Sequence, residues 1–116
     1  MSDALNYTMT EHDSVKIFEV TGYLSANTCM EFVDFLKTVT DADNVIIDMK
    51  SISAVTFSGI ESLVMVSQDA RRKDKRVLLA ALRPDIKEMF FFLSMYRFVI
   101  FVDTVEEGIV KMQYYV

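Results

Sequence analysis

Asn44-Val45-Ile46-Ile47-Asp48-Met49 is a nearly unbroken apolar run with one acid near its end. A few residues later, Ala54-Val55-Thr56-Phe57-Ser58-Gly59-Ile60-Glu61 turns polar before a new apolar period begins. A short run of the first kind is the pattern of a strand buried on both faces, in the middle of a sheet. From Ser58 the period becomes helical. Ile60, Leu63, Val64, Ser67 and Ala70 fall on one side, and Glu61, Gln68, Asp69 and Arg72 fall on the other. Ser58 and Glu61 also stand at capping-box spacing, which predicts a Ser58 hydroxyl accepting from the Glu61 amide at the helix start.

Outward from this strand–helix unit, the same alternation repeats. Asn6 to Thr10 and Val15 to Tyr23 read as an antiparallel hairpin across the turn-prone Glu11-His12-Asp13-Ser14. Thr28 to Thr40 reads as a helix burying Cys29, Phe32, Val33, Leu36 and Val39, with Thr28 and Glu31 at capping-box spacing. Val77 to Leu82 is a strand, and Pro84 opens a helix with the stripe Ile86, Met89, Phe90 and Leu93. Phe98 to Val102 is a further strand, and a last helix starts at Thr104, which has Glu107 at capping-box spacing. The order ββαβαβαβα predicts an α/β fold. Its mixed sheet has about five strands, antiparallel in the opening hairpin and parallel elsewhere. About four helices pack mainly on one face, because Val15 to Val20 alternates as a strand with one wetter side would.

With 116 residues and no linker or repeat, residues 1–116 read as a single domain. The formal net charge of −5, with only the short Arg71-Arg72-Lys73 and Lys75-Arg76 clusters, argues against direct nucleic-acid binding. Cys29 is the only cysteine, so no internal disulfide forms and a reducing, cytoplasmic setting is expected. The first residues lack a basic stretch and a following apolar run, so no secretory signal is expected. The run from Met89 to Val102 contains Arg97 and falls short of the ~20 residues of a transmembrane segment.

Catalytic chemistry has little material. His12 is the only histidine and falls in the expected turn, Cys29 falls on a core face, and no phosphate-cradling glycine loop, nucleophile elbow or paired-histidine metal motif occurs. Asp48, at the end of the expected central strand, stands where α/β folds often place function, but it equally suits a turn cap. Neither a catalytic residue nor a metal or cofactor of its own is expected. Met89-Phe90-Phe91-Phe92-Leu93 carries more large apolar groups than one helical face buries. Phe91 and Phe92 lie off the stripe, as a patch for self-association into a homo-oligomer or for partner docking, or else as core beneath a loop.

Taken in chain order, four pieces resemble the STAS family, the anti-sigma factor antagonists. Thr56-Phe57-Ser58-Gly59-Ile60 is similar to the family's Asp-Ser-Ser-Gly-Leu/Ile after a strand, and Gly22-Tyr23-Leu24-Ser25 to its Gly-x-Leu-Asp. Asn44 to Met49 is similar to its Val-Ile-Leu-Asp-Leu strand, and Asp103-Thr104-Val105-Glu106-Glu107-Gly108 to its Asp-Ser-x-Glu-Glu-Ala. The resemblance implies a partner switch. An unmodified antagonist binds an anti-sigma factor that is also a serine kinase, phosphorylation ends the interaction, and a serine phosphatase restores it. Ser58, immediately before the motif's glycine, maps onto the phosphate acceptor. The partner-binding surface maps onto Ser25, Asn27, Thr56, Phe57, Ser58, Gly59, Ile60 and Glu61, while ATP and magnesium belong to the kinase. Thr56, Phe57 and Ser25 replace the motif's acid, first serine and second acid. Two charges near the acceptor are thereby lost, and Phe57 gains the character of an apolar anchor. Three readings follow: a phosphorylation-controlled antagonist, a constitutive STAS subunit of a membrane transport or polysaccharide-control complex, and a small enzyme.

Overall fold

The computed structural model describes residues 4–115. Its strands are β1 (Leu5–His12), β2 (Val15–Leu24), β3 (Asn44–Val55), β4 (Val77–Ala80) and β5 (Ile100–Val102). Its helices are α1 (Met30–Val39), α2 (Phe57–Arg72), α3 (Pro84–Phe92) and α4 (Val105–Met112), with short 3₁₀ turns at Tyr96–Phe98 and Gln113–Tyr115. The sheet order is β1-β2-β3-β4-β5. β1 and β2 are antiparallel, from Leu5 opposite Gly22 to His12 opposite Val15, and every later pair is parallel. The mixed sheet expected from the sequence is therefore the one observed.

Period-2 alternation sorts the apolar residues into two cores. Val45 and Ile47 of β3 point to one face, where they meet Phe32 of α1, Leu63 of α2 and Phe90 of α3. Ile46 points to the other, with Leu78, Val102 and Met112 of α4. Three helices thus cover one face and α4 alone covers part of the second. A run such as Val45-Ile46-Ile47 is apolar at every position because both of its faces are covered.

Several boundaries differ from those read off the pattern. β3 continues past Met49 to Val55, because beyond Asp48, which pairs with Ala80, it keeps β2 as its neighbour while β4 has ended. Polar Lys50, Ser51 and Ser53 are exposed on that stretch while Ile52 stays buried. Asp48 is consequently a mid-strand residue and not a strand end. It is buried, accepts from the Lys50 amide at 3.2 Å and pairs with the Lys50 ammonium at 3.5 Å. β4 stops at Ala80 because Ala81 turns into the left-handed region at φ 59°. β5 begins only at Ile100, because Tyr96–Phe98 winds into a 3₁₀ turn. His12 ends β1, exposed beside Asp13, and the hairpin turn shrinks to Asp13-Ser14, with Asp13 at φ 56°.

Candidate functional site

Because β2 and β3 are parallel and end together at Leu24 and Val55, the turn after β2 and the start of α2 leave the sheet side by side. One hydrogen bond ties them, from the Thr56 amide to the Leu24 carbonyl at 2.9 Å. That tie sets the start of the helix. Thr56 stays extended (φ −108°, ψ 163°) and its hydroxyl accepts from the Gly59 amide at 3.1 Å. Thr56 is therefore the N-cap, and the capping box expected of Ser58 and Glu61 does not form. Ser58 lies two residues deeper than that reading required, as the second helical residue, exposed, its Oγ 3.0 Å from the Thr56 Oγ1. Gly59 is buried against the tie, where a Cβ would stand 2.5 Å from the Leu24 oxygen.

The neighbouring turn is held by Thr28. Its hydroxyl donates to the Tyr23 carbonyl at 2.7 Å and accepts from the Ser25 amide at 2.9 Å, while the Thr28 amide donates to Ser25 Oγ at 3.2 Å. These bonds occupy the hydroxyl that the sequence offered as a helix cap, so α1 starts at Met30, after Cys29. Ser25 is half-buried in this turn and Asn27 is exposed at its tip, beside the start of α2. Cys29 is buried at 1% exposure, and burial pushes its thiol up, with the Ser62 hydroxyl offsetting part of the effect.

Of the eight residues expected at a partner surface, Asn27, Phe57, Ser58 and Glu61 are exposed. Ser25 and Thr56 are half-buried, and Gly59 and Ile60 are buried supports. Two flanking features complete the surface. On the outer side of α2, Ser58, Glu61, Ser62 and Met65 follow helical spacing, and Met65 is 62% exposed. An apolar residue at the seventh position after Ser58, on the polar side of the helix, was the signal for it in the sequence. On the other side, the Phe57 ring stacks on Phe92 (centroids 6.0 Å apart, planes 6° apart). Phe91 stacks on Tyr96 at 4.7 Å. Phe57, Phe91 and Phe92 are 48%, 50% and 79% exposed, so the residues expected off the core stripe do face outward. They line an open groove of about 630 Å³ together with Met89, Asp85 and Glu88. Its charged rim is acidic, and Arg83 beside Asp85, at 3.2 Å, holds that carboxyl below its ordinary range.

Ser58 and the histidine stand far apart in the fold. Ser58 has another hydroxyl as its side-chain neighbour, whereas His12 lies beside Val15, at the opposite end of β2 from Leu24. That strand length separates the two by about 30 Å at ~3.3 Å per residue. Among the described residues, no group of three His, Cys, Asp or Glu side chains could hold a metal ion, and no helix is long and apolar enough to cross a membrane.

A STAS domain family model matches residues 6–108. The fold is shared with several solved structures at low identity. An anti-sigma factor antagonist from Mycobacterium paratuberculosis is 13% identical, with TM-score 0.79 over 97% of both chains. The phosphorylated form of the Bacillus cell fate determinant SpoIIAA is 15% identical, with TM-score 0.71 over 92% of this chain and 99% of that one. RsbS S58E from Moorella thermoacetica is 14% identical, with TM-score 0.78 over 92% and 94%. With the strand–helix signature, the mixed five-stranded sheet and a family match spanning most of its length, this chain belongs to the STAS domain family.

Proposed function

We propose that this protein is an anti-sigma factor antagonist-type regulator. In this reading it docks a serine-kinase anti-sigma factor through the surface around Ser58 and releases it when Ser58 is phosphorylated. The observation that carries the reading is the position of Ser58: an exposed hydroxyl in the first turn of α2, between the Met65 side of the helix and the Phe57–Phe92 stack. Solved relatives of the same fold include an antagonist in phosphorylated form, which supports it.

Physical chemistry then assigns the effect to the interface. A phosphate adds about −1.5 to −2 charge, which the free amides and positive dipole end of a helix start accommodate. Glu61 faces the same region and offsets part of that gain, without a capping bond to lose. The domain stays folded, while burying an unmatched dianion against a partner weakens binding, and a hundredfold loss needs only about 2.8 kcal/mol. Binding of the cognate kinase should survive Ser58→Ala and fall with Ser58→Asp, both variants keeping wild-type circular dichroism. Equal binding of the two variants, or of purified phosphoprotein and unmodified protein, refutes the switch. Such a result would favour the second reading, a constitutive STAS subunit of a membrane transport or polysaccharide-control complex. Phe57 in place of the motif's first serine is the feature that points that way, since its stack with Phe92 offers an apolar anchor indifferent to phosphate.

A further inference from the structure

Among the described residues β1 is an outermost strand of the sheet, with β2 as its one neighbour. Leu5 to His12 pair without a break with Gly22 to Val15, and the Tyr23 amide donates to the Ala4 carbonyl at 3.2 Å in the same register. In an antiparallel pair, residues whose backbone groups meet the neighbouring strand alternate with residues whose groups point away from it. The Ala4 bond fixes that alternation. Asn6, Thr8, Thr10 and His12 turn their N–H and C=O groups to β2, and Leu5, Tyr7, Met9 and Glu11 turn theirs outward.

Such a row is a template for another strand, and proteins ordinarily guard it with proline, lysine, a bulge, a very short strand or a covering helix. The opposite edge follows that rule, since β5 has only three residues. β1 has eight, with no proline, no lysine and no break in register, and every residue after Leu5 is exposed. On the helix-bearing face, Tyr7 stacks on the exposed Phe35 of α1 (centroids 6.1 Å apart, planes 24° apart), and Met9 is exposed two residues further along. Charge is low here as well. Glu11, the one carboxylate of the strand, is held by the Lys16 ammonium at 2.9 Å. In a chain of net charge −5, this edge lets two copies approach without setting carboxylate against carboxylate.

We propose that β1 pairs antiparallel with β1 of a second copy about a two-fold axis through Thr8, joining two five-stranded sheets into one. The outward row of Leu5, Tyr7, Met9 and Glu11 is symmetric about Thr8, so a second copy is the occupant that uses all of it. Leu5 then lies opposite Glu11 and Tyr7 opposite Met9, in hydrogen-bonded pairs that satisfy every N–H and C=O of the row. Thr8 faces its own copy and Asn6 faces Thr10 in the closer, non-hydrogen-bonded pairs, and aromatic–apolar and hydroxyl–hydroxyl pairs of this kind are favourable across strands. Centring the axis on Tyr7 or Met9 instead carries Glu11 or Leu5 past the end of the partner strand. The parallel strands of the two copies run in opposite directions. Their Ser58 surfaces, beside Leu24 and hence near the Leu5 end of each β1, therefore lie at opposite ends of the joined sheet, and both stay open.

Sedimentation velocity of the full chain, from about 10 µM to about 1 mM, should show a monomer–dimer equilibrium. Met9→Lys places an edge guard at an exposed position and should weaken dimerisation about tenfold or more while keeping wild-type circular dichroism. Oxidative cross-linking reads the register. Thr8→Cys should give a disulfide-linked dimer, because non-hydrogen-bonded partners stand about 4.5 Å apart between Cα atoms. Thr10→Cys should not, because its two copies lie four residues out of register, about 13 Å apart. Cys29 is buried and does not compete. A monomer at every concentration, equal cross-linking of the Thr8 and Thr10 variants, or a dimer that Met9→Lys leaves as strong, as one through Phe91 and Phe92 would be, overturns the proposal.

Discussion

Replacing Gly59 by alanine tests the tie that positions the Ser58 surface. The new Cβ would stand 2.5 Å from the Leu24 carbonyl oxygen and 2.9 Å from its carbon, both backbone atoms of β2 that no rotamer change can move. Relief requires α2 to slide away from β2, which stretches the 2.9 Å bond from the Thr56 amide to the same oxygen. Overpacking strain costs about 1–3 kcal/mol, and a weakened backbone bond adds roughly 1. Alanine's better helix propensity returns at most about 1 kcal/mol. The net expectation is a destabilisation of about 2 kcal/mol, or a urea midpoint lower by about 1–2 M for a domain of this size. Gly108→Ala is the internal control. Its Cβ would meet the Ile46 Cδ1 at 3.0 Å and the Val102 Cγ2 at 3.3 Å, side-chain ends that can yield, so it should cost clearly less. Urea unfolding followed by circular dichroism decides. A Gly59→Ala protein as stable as wild type, or no less stable than Gly108→Ala, refutes the close approach of α2 to β2 and the account of the N-cap built on it.

Three further outcomes are expected. Ser94 holds φ 58° just after α3, where the Met95 amide bonds the Phe90 carbonyl at 2.8 Å, so Ser94→Gly should raise stability by about 0.5–1 kcal/mol in thermal melts. Phe92→Ser, at a largely exposed position, should leave the melting temperature nearly unchanged yet weaken kinase binding at least about tenfold, as loss of an aromatic anchor does. A hydrogen bond from Lys73 holds the Asp69 carboxyl below its ordinary value. This pair therefore adds stability above the unfolded-state carboxylate range near pH ~3.9 and loses it as pH falls further. Asp69→Asn should be slightly less stable at neutral pH and show a shallower acid-side decline in pH-dependent urea midpoints.

At three of the expected helix starts the sequence carries the Ser/Thr-x-x-Glu spacing of a capping box: Thr28 to Glu31, Ser58 to Glu61 and Thr104 to Glu107. Only at the last does the hydroxyl cap the helix, with the Glu107 amide 3.0 Å from Thr104 Oγ1 and the Glu107 carboxylate accepting from the Asp103 amide at 3.2 Å. At the other two, contacts from a neighbouring strand win. Tyr23, five residues earlier, captures the Thr28 hydroxyl, and Leu24, at the end of β2, anchors Thr56, neither of which a four-residue spacing expresses. The alternation of strands and helices was legible because the apolar period switches cleanly at each junction. The surplus of phenylalanines in α3 was legible for the same reason. That Phe57 stacks on Phe92 was not, since it depends on how α2 and α3 sit on one face of the sheet.

The unequal covering of the sheet also sets an order of disassembly. α4 holds its face through a small cluster around Ile46, Leu78 and Met112, anchored next to the three-residue β5, while the opposite face locks three helices onto β2, β3 and β4. Local openings follow the weaker boundary. In native-state hydrogen exchange, amides of α4 and β5 should therefore exchange through a sub-global event that leaves α2 intact. The Ser58 surface would then persist in molecules whose C-terminal helix has already come away, and a nick or truncation there would cost stability before it cost recognition.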